Sequence, residues 1–284
     1  MTSTEPKTYG PWTVAAGVTP LHHVIYADGT TTTVVPTTEA GWVLKIMTAP
    51  AAVMELSETL MIYAETPRNT VEFPDTVGAL CGTVTPDTVW IAMRRYTGSA
   101  ATEREYCRAH WRRLATSVLA FLEDLHVGTR RVHADLKAGN VLVDTSRGEF
   151  VVSDFGHVDL PGTKPTQAYD SDHLWYYLAM GAEPDQPPRG WRADLTALGY
   201  LLADLTWPEE VTLSFHATCM ARRGLLGSND TAIHEIAGLR DVEMSRACGL
   251  TLRTYFETLA SEVAWDAVRP PPRALYRALA ALFV

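Results

Sequence analysis

The sequence predicts an α+β chain of two lobes, a strand-rich first part followed by a helix-rich second part. Two changes of texture carry this prediction. Up to Met93 the chain is rich in Thr and Val and punctuated by Gly and Pro, whereas from Glu103 onward apolar residues recur every three or four positions. Capacity is the third observation: 284 residues, 46% of them hydrophobic, can bury a substantial core.

In the first part, Thr31–Val35 and Gly41–Met47 read as strands joined by a turn that contains Pro36 and Gly41. Ala51–Glu65 reads as a helix, because Pro50 suits a helix start and Pro67 marks its end. Val84–Met93 reads as a strand broken by the turn Thr85-Pro86-Asp87. In the second part, Trp111, Leu114, Ala115, Val118, Leu122 and Leu125 form one core-facing stripe, and Gly128 follows as a stop signal. Val141–Val143 and Phe150–Ser153 read as short strands flanking the turn Asp144–Glu149. Trp191–Leu205 is a helix with Leu195, Leu198, Leu201, Leu202 and Leu205 in phase; Leu252–Val263 and Ala274–Leu282 complete the helical part.

With 33 acidic and 24 basic residues the formal net charge is −9, which disfavours non-specific attraction to nucleic acid phosphates or anionic membranes. Cys81, Cys107, Cys219 and Cys248 are scattered and form no Cys-x-x-Cys pair, so neither a disulfide framework nor a zinc site is expected. The polar start Met1–Tyr9 carries no signal-peptide pattern, and no apolar run is long enough for a membrane span. These features predict an intracellular chain with no membrane association and no specific nucleic acid binding.

The informative stretch is His133-Ala134-Asp135-Leu136-Lys137-Ala138-Gly139-Asn140, followed after a hairpin by Asp154-Phe155-Gly156. Phosphoryl transfer needs a base to orient the attacking hydroxyl, oxygen ligands for magnesium and a cation to offset developing charge. Asp135 and Asn140 lie five residues apart on a loop between a helix end and a strand, so both can converge on one point. Asp154 ends the neighbouring strand and can supply the principal magnesium ligand, Asn and Asp oxygens being suited to that ion. Each short motif is weak alone; the ordered set is strong.

In these motifs the chain resembles the eukaryotic-type protein kinase superfamily. The resemblance implies a two-lobed fold, with a small antiparallel-sheet N-lobe carrying one helix and a larger, mainly helical C-lobe. It implies a single domain over residues 1–284, with the N-lobe to residue 93, a hinge over 94–98 and the C-lobe from 99. By resemblance, Asp135 is the base that orients the acceptor and Lys137 contacts the transferred phosphate. Asn140 and Asp154 hold magnesium. Lys45, in Val43-Leu44-Lys45-Ile46, resembles the strand lysine that holds the α- and β-phosphates. Glu58 is the candidate for its ion-pair partner, with Glu55 one turn earlier as the alternative and Glu65 a poor one. Met93 resembles the gatekeeper, and Arg94–Tyr96, including Arg95 and Tyr96, the hinge that grips adenine by its backbone.

Asp194-Leu195-Thr196-Ala197-Leu198-Gly199-Tyr200 is similar to a helix motif of the casein kinase 1 and vaccinia-related kinase group, in which the Asp braces the catalytic loop. Thr254-Tyr255-Phe256, Trp265-Asp266 and Arg269-Pro270 resemble the closing helices of that group.

Three departures stand out. The stretch matched to the glycine-rich phosphate loop, Ala16–His23, keeps only Gly17 as a glycine, and His22 and His23 read as strand-edge residues. The activation segment has Ser171-Asp172-His173 where the group places a Thr. The position before the catalytic Asp is Ala134 and not Arg. Arg104, Arg108 and Arg112, four apart on one helix face, are either readers of an acidic substrate or a solvated face.

Taken together, the resemblance implies a monomeric serine/threonine protein kinase that uses ATP and Mg2+ to phosphorylate a protein substrate. A pseudokinase that binds partners is the alternative, and a small-molecule phosphotransferase a more distant one.

Overall fold

A computed structural model of the chain describes residues 5–25, 30–48, 51–161, 190–206, 248–261 and 269–284. It divides into two units. The first comprises Met1–Thr66, Thr70–Thr97 and Ser153–Gly156, and the second Pro67–Asn69, Gly98–Val152 and His157–Val284. No helix among the described residues is long and apolar enough to cross a membrane.

Period-two alternation organises the first unit. Its strands are β1 (Lys7–Tyr9), β2 (Trp12–Val14), β3 (His22–Ile25), β4 (Thr31–Pro36), β5 (Trp42–Thr48), β6 (Cys81–Thr85) and β7 (Thr88–Arg94). β1 and β2 form a separate antiparallel ribbon, and the rest form one sheet in the order β3-β4-β5-β7-β6. Along β5, Trp42, Leu44 and Ile46 join Trp12, Val35 and Trp90 in the cluster that includes the ribbon. Met47, of the opposite parity, packs instead with Ala52, Leu80, Val89 and Ile91. Ala52 belongs to helix α1 (Ala51–Glu65), and Leu80 ends the short helix α2 (Val77–Leu80). The Trp12 indole N–H donates to the Ala79 carbonyl at 2.7 Å, and the Thr38 amide to the Thr13 carbonyl at 2.8 Å, which fixes the ribbon.

Val84–Met93 is not one interrupted strand. Thr85 pairs with Thr88, so Pro86-Asp87 is a two-residue turn that fully reverses the chain between β6 and β7. Pro fixes φ and offers no N–H to a ladder, which favours reversal over continuation.

The second unit contains β8 (Gly98–Ser99), α3 (Arg104–Ala109), α4 (Trp111–Glu123), β9 (Val141–Asp144), β10 (Glu149–Val152), α5 (Trp191–Thr206), α6 (Cys248–Ser261) and α7 (Arg273–Ala281). Its strands are ordered β10-β9-β8. α4 buries the apolar stripe read from the sequence, while α5 is apolar on nearly every side and buried accordingly. Gly199 permits α6 to approach α5: a Cβ there would lie 2.5 Å from the Phe256 ring. The Tyr255 hydroxyl donates to the Leu195 carbonyl at 2.6 Å across the same contact.

Gly128 does not stop the α4 helix. The chain continues as a wide π turn over Asp124–Thr129 and ends at Arg130, whose φ is 58°. The Thr129 hydroxyl and the Arg130 amide both donate to the Leu125 carbonyl, so the terminal acceptor is satisfied two residues beyond the expected stop.

The arginine row is partly solvated, with Arg108 and Arg112 exposed, and two of its members are tied to α5. Arg104 binds the Asp204 carboxylate at 3.1 Å and also the Asp204 carbonyl, and the Arg108 Nε donates to the Leu205 carbonyl at 3.0 Å. Both cap the C-terminal carbonyls of α5, where a cation also meets the negative end of the helix dipole. Arg112 instead stacks on Trp111, 5.3 Å from the ring centroid.

Candidate active site

Lys45 sits on β5 opposite Ile91 of β7, on the same strand face as Val43 and Met47. Its ammonium is paired with the Glu55 carboxylate from α1 and lies 3.0 Å from Asp154 Oδ1. Burial alone would pull the lysine pKa down, but the charges of Asp154 and Glu55 outweigh it and hold the pKa above the ordinary lysine value. Lys45 is therefore a permanent cation. Two carboxylates, Glu55 and Asp154, lie against one ammonium.

The pairing corrects the expectation for Glu58. Ala52, Glu55, Thr59 and Ile62 are all buried and form one stripe of α1 at three- and four-residue spacing. Glu58 is half-buried, about 4.5 Å further along the axis and at the margin of that stripe. The buried phase of Ala52, Thr59 and Ile62 selects Glu55.

In the second unit, the loop after the π turn holds Asp135, Lys137 and Asn140. The Asn140 side-chain amide donates to the Asp135 carbonyl and to Asp135 Oδ2, both at 2.8 Å. Lys137 Nζ lies 3.4 Å from the same Oδ2. Asn140 ends a 3-10 turn, Ala138–Asn140, that leads directly into β9. Because its N–H2 faces Asp135, the amide oxygen of Asn140 is turned toward other partners. Amide and carboxylate oxygens are hard donors, and each of Asn140 and Asp154 taken by itself is of the type that magnesium accepts.

The loop is braced from α5. Asp194 Oδ2 accepts the His133 amide at 2.6 Å, and Oδ1 accepts the Ala134 amide at 2.9 Å. His126, in the π turn, adds its Nε2 to Oδ2 at 2.9 Å. Its Nδ1 lies 2.6 Å from the Tyr276 hydroxyl of α7. Sequence reasoning missed His126 and Tyr276. The first continues the Leu122–Leu125 stripe, which marks it as buried; nothing local marks the second.

Ala134 and Asp154 have φ values of 60° and 64°. Non-glycine residues in this region cost about 1–3 kcal/mol each and persist only where neighbours over-determine them. Asp194 holds the first and Lys45 the second.

The remaining predicted positions are distributed differently. Gly17, at φ 67°, lies in the connection from the β1–β2 ribbon to β3 and not in a hairpin turn of the five-stranded sheet. The first hairpin of that sheet is β3–β4, with His22 and His23 on its edge strand; its connection, residues 26–29, lies outside the described residues. Met93 pairs with Val43. The Arg94 amide donates to the Glu72 carbonyl at 2.9 Å and the Arg95 amide to the Gly41 carbonyl at 2.7 Å. Those two amides are thereby committed, so Arg95 does not offer its N–H to a base. The Tyr96 hydroxyl accepts the Glu72 amide at 3.0 Å. Thr163, Thr166, Ser171–His173 and Trp265-Asp266 lie outside the described residues.

No family model matches the chain, and no curated protein matches it. Among solved structures, the kinase PK-1 of Cydia pomonella granulovirus is similar over 88% of this chain and 92% of its own, with a TM-score of 0.54 and 15% sequence identity. At that identity the likeness speaks for fold. The small antiparallel-sheet N-terminal region and the helical C-terminal region are those of a protein-kinase-like fold.

Proposed function

We propose that the chain is an ATP- and magnesium-dependent serine/threonine protein kinase, of a type resembling the casein kinase 1 and vaccinia-related kinase group. The observation that carries the reading is the pairing of buried Lys45 with both Glu55 and Asp154. A buried ion pair stabilises a fold poorly, because desolvation offsets most of the attraction. A fixed cation beside carboxylate oxygens is, however, what a metal-bound polyphosphate requires.

In this reading Lys45 binds the α- and β-phosphates, and Glu55 holds it in place. Asp154 and Asn140 would hold magnesium, which when bound neutralises phosphate charge. Asp135 orients the acceptor hydroxyl of a protein substrate and receives its proton. Lys137, beside Asp135, offsets charge on the transferred phosphate. Lys137 also favours Ser or Thr acceptors, by resemblance.

The test compares two variants. Asp154→Ala abolishes magnesium-dependent nucleotide binding. Asp135→Ala retains binding but loses at least about a hundredfold in transfer to a generic acceptor such as casein. Near-normal transfer by Asp135→Ala would sink the assignment.

A further inference from the structure

We infer that Tyr276 is a positioning residue for the loop that carries Asp135, acting through His126 and Asp194. The inference rests on the kinase reading only for its effect on rate.

Four contacts run in series. The Tyr276 hydroxyl meets His126 Nδ1 at 2.6 Å, and His126 Nε2 meets Asp194 Oδ2 at 2.9 Å. Asp194 then accepts the amides of His133 and Ala134, the two residues that precede Asp135. His126 is fully buried, and Asp194 and Tyr276 are each 2% exposed, so water does not substitute for a lost partner.

One arrangement of hydrogens satisfies every partner in this set among the described residues. An ionised Asp194 only accepts, so His126 Nε2 must carry a hydrogen. Among the described residues the hydrogen-bond partner of the Tyr276 hydroxyl is His126 Nδ1, so the phenol proton points there. In that arrangement His126 Nδ1 accepts from Tyr276 and Nε2 donates to Asp194. Burial pushes the Tyr276 phenol pKa up, with a further push from Asp194, so the hydroxyl keeps its proton.

Tyr276 thus selects the tautomer that donates to Asp194. Without the hydroxyl, Nδ1 loses its donor and the ring can turn its hydrogen away from Asp194. The carboxylate would then be free to shift, and with it the two amides that hold Ala134 in its left-handed conformation. α7 is also anchored just before that turn, through Arg273 to Glu123 at the end of α4 at 3.0 Å. The C-terminal helix therefore sets the geometry of the Asp135 loop from a side chain 141 positions away by residue number.

The experiment uses the full chain. Ring nitrogen NMR of the wild type should report His126 as neutral with hydrogen on Nε2; a cationic ring or the opposite tautomer overturns the proposal. Tyr276→Phe, which keeps the ring, should accelerate amide exchange at His133 and Ala134 by about tenfold. Amides within α4, such as Leu119, should be unaffected, and the substitution should have no added effect once His126→Ala is present. Unchanged exchange at His133 and Ala134, or equal acceleration at Leu119, overturns it. In turnover, kcat should fall by about tenfold with the ATP KM within about twofold; an effect confined to KM also overturns it. Wild-type protein that shows no transfer, with the exchange pattern as expected, refutes the kinase reading and supports the positioning role.

Discussion

Glu55 reaches Lys45 from the buried stripe of α1, ten residues away in sequence, while Glu58 stands one turn further on at the stripe's edge. The consequence is a pair of substitutions with opposite outcomes. Glu55→Gln keeps the shape but leaves the buried ammonium with Asp154 alone. We expect about a hundredfold loss of phosphoryl transfer and about 3 kcal/mol of destabilisation. Glu58→Gln should change transfer by less than about threefold. Turnover assays and urea unfolding on both variants decide the matter, and the reverse ranking would restore Glu58.

Gly17 provides a test of where phosphate contacts are made. No atom lies within 4 Å of a Cβ added there, yet its φ of 67° strains any other residue. Gly17→Ala should cost about 1 kcal/mol of stability and leave ATP affinity within about twofold. Calorimetric titration with ATP measures the second; a tenfold loss of affinity would place Gly17 against the nucleotide.

Asp124 gives the second unit a pH dependence at low pH. Arg68 donates to it from its backbone amide at 2.9 Å and from Nε at 2.7 Å, and Arg273 lies 4.0 Å away. Burial raises the Asp124 pKa, but the Arg68 hydrogen bonds and charge, with Arg273, outweigh it and lower the pKa below the ordinary 3.8. A lowered carboxylate pKa stabilises the fold above its unfolded value, and that contribution is lost as pH falls through the folded one. Arg68 is 56% exposed, so the contribution should stay below about 1 kcal/mol. Asp124→Asn should be less stable than wild type at neutral pH, the gap closing below the ordinary aspartate pKa. A gap that persists in acid would remove Asp124 as its source.

Activity should not require phosphorylation. Regulated kinases pair an activation-segment phosphate with an Arg before the catalytic Asp; here Ala134 fills that position and is 1% exposed. Phosphatase-treated protein, and a Thr163→Ala, Thr166→Ala double variant, should match untreated wild type. A loss beyond about tenfold, or about 1.4 kcal/mol of barrier, would overturn the claim.

The sequence by itself determined the strand-rich first part, the helix-rich second part and their longer elements, because period-two and period-3.6 patterns and proline stops act between near neighbours. The β1–β2 ribbon and the short α2, α3 and β8 were not legible in it. The helix Ala51–Glu65 was legible to its end residues. The motifs that hold Asp135, Asn140 and Asp154 were likewise visible, since their spacing is local. Tertiary structure decided what depends on rotation and packing across the chain. Lys45 meets Asp154 over a separation of 109 residues and His126 meets Tyr276 over 150, and no local pattern encodes either distance. The choice of Glu55 was half-legible: the buried phase of α1 points to it, but only the sheet packed against the helix shows which turn lies level with Lys45. The surroundings of Gly17 and the Gly41 partner of the Arg95 amide were not legible for the same reason. A residue type permits a role, and the partner that folding brings beside it determines whether the group remains available for that role.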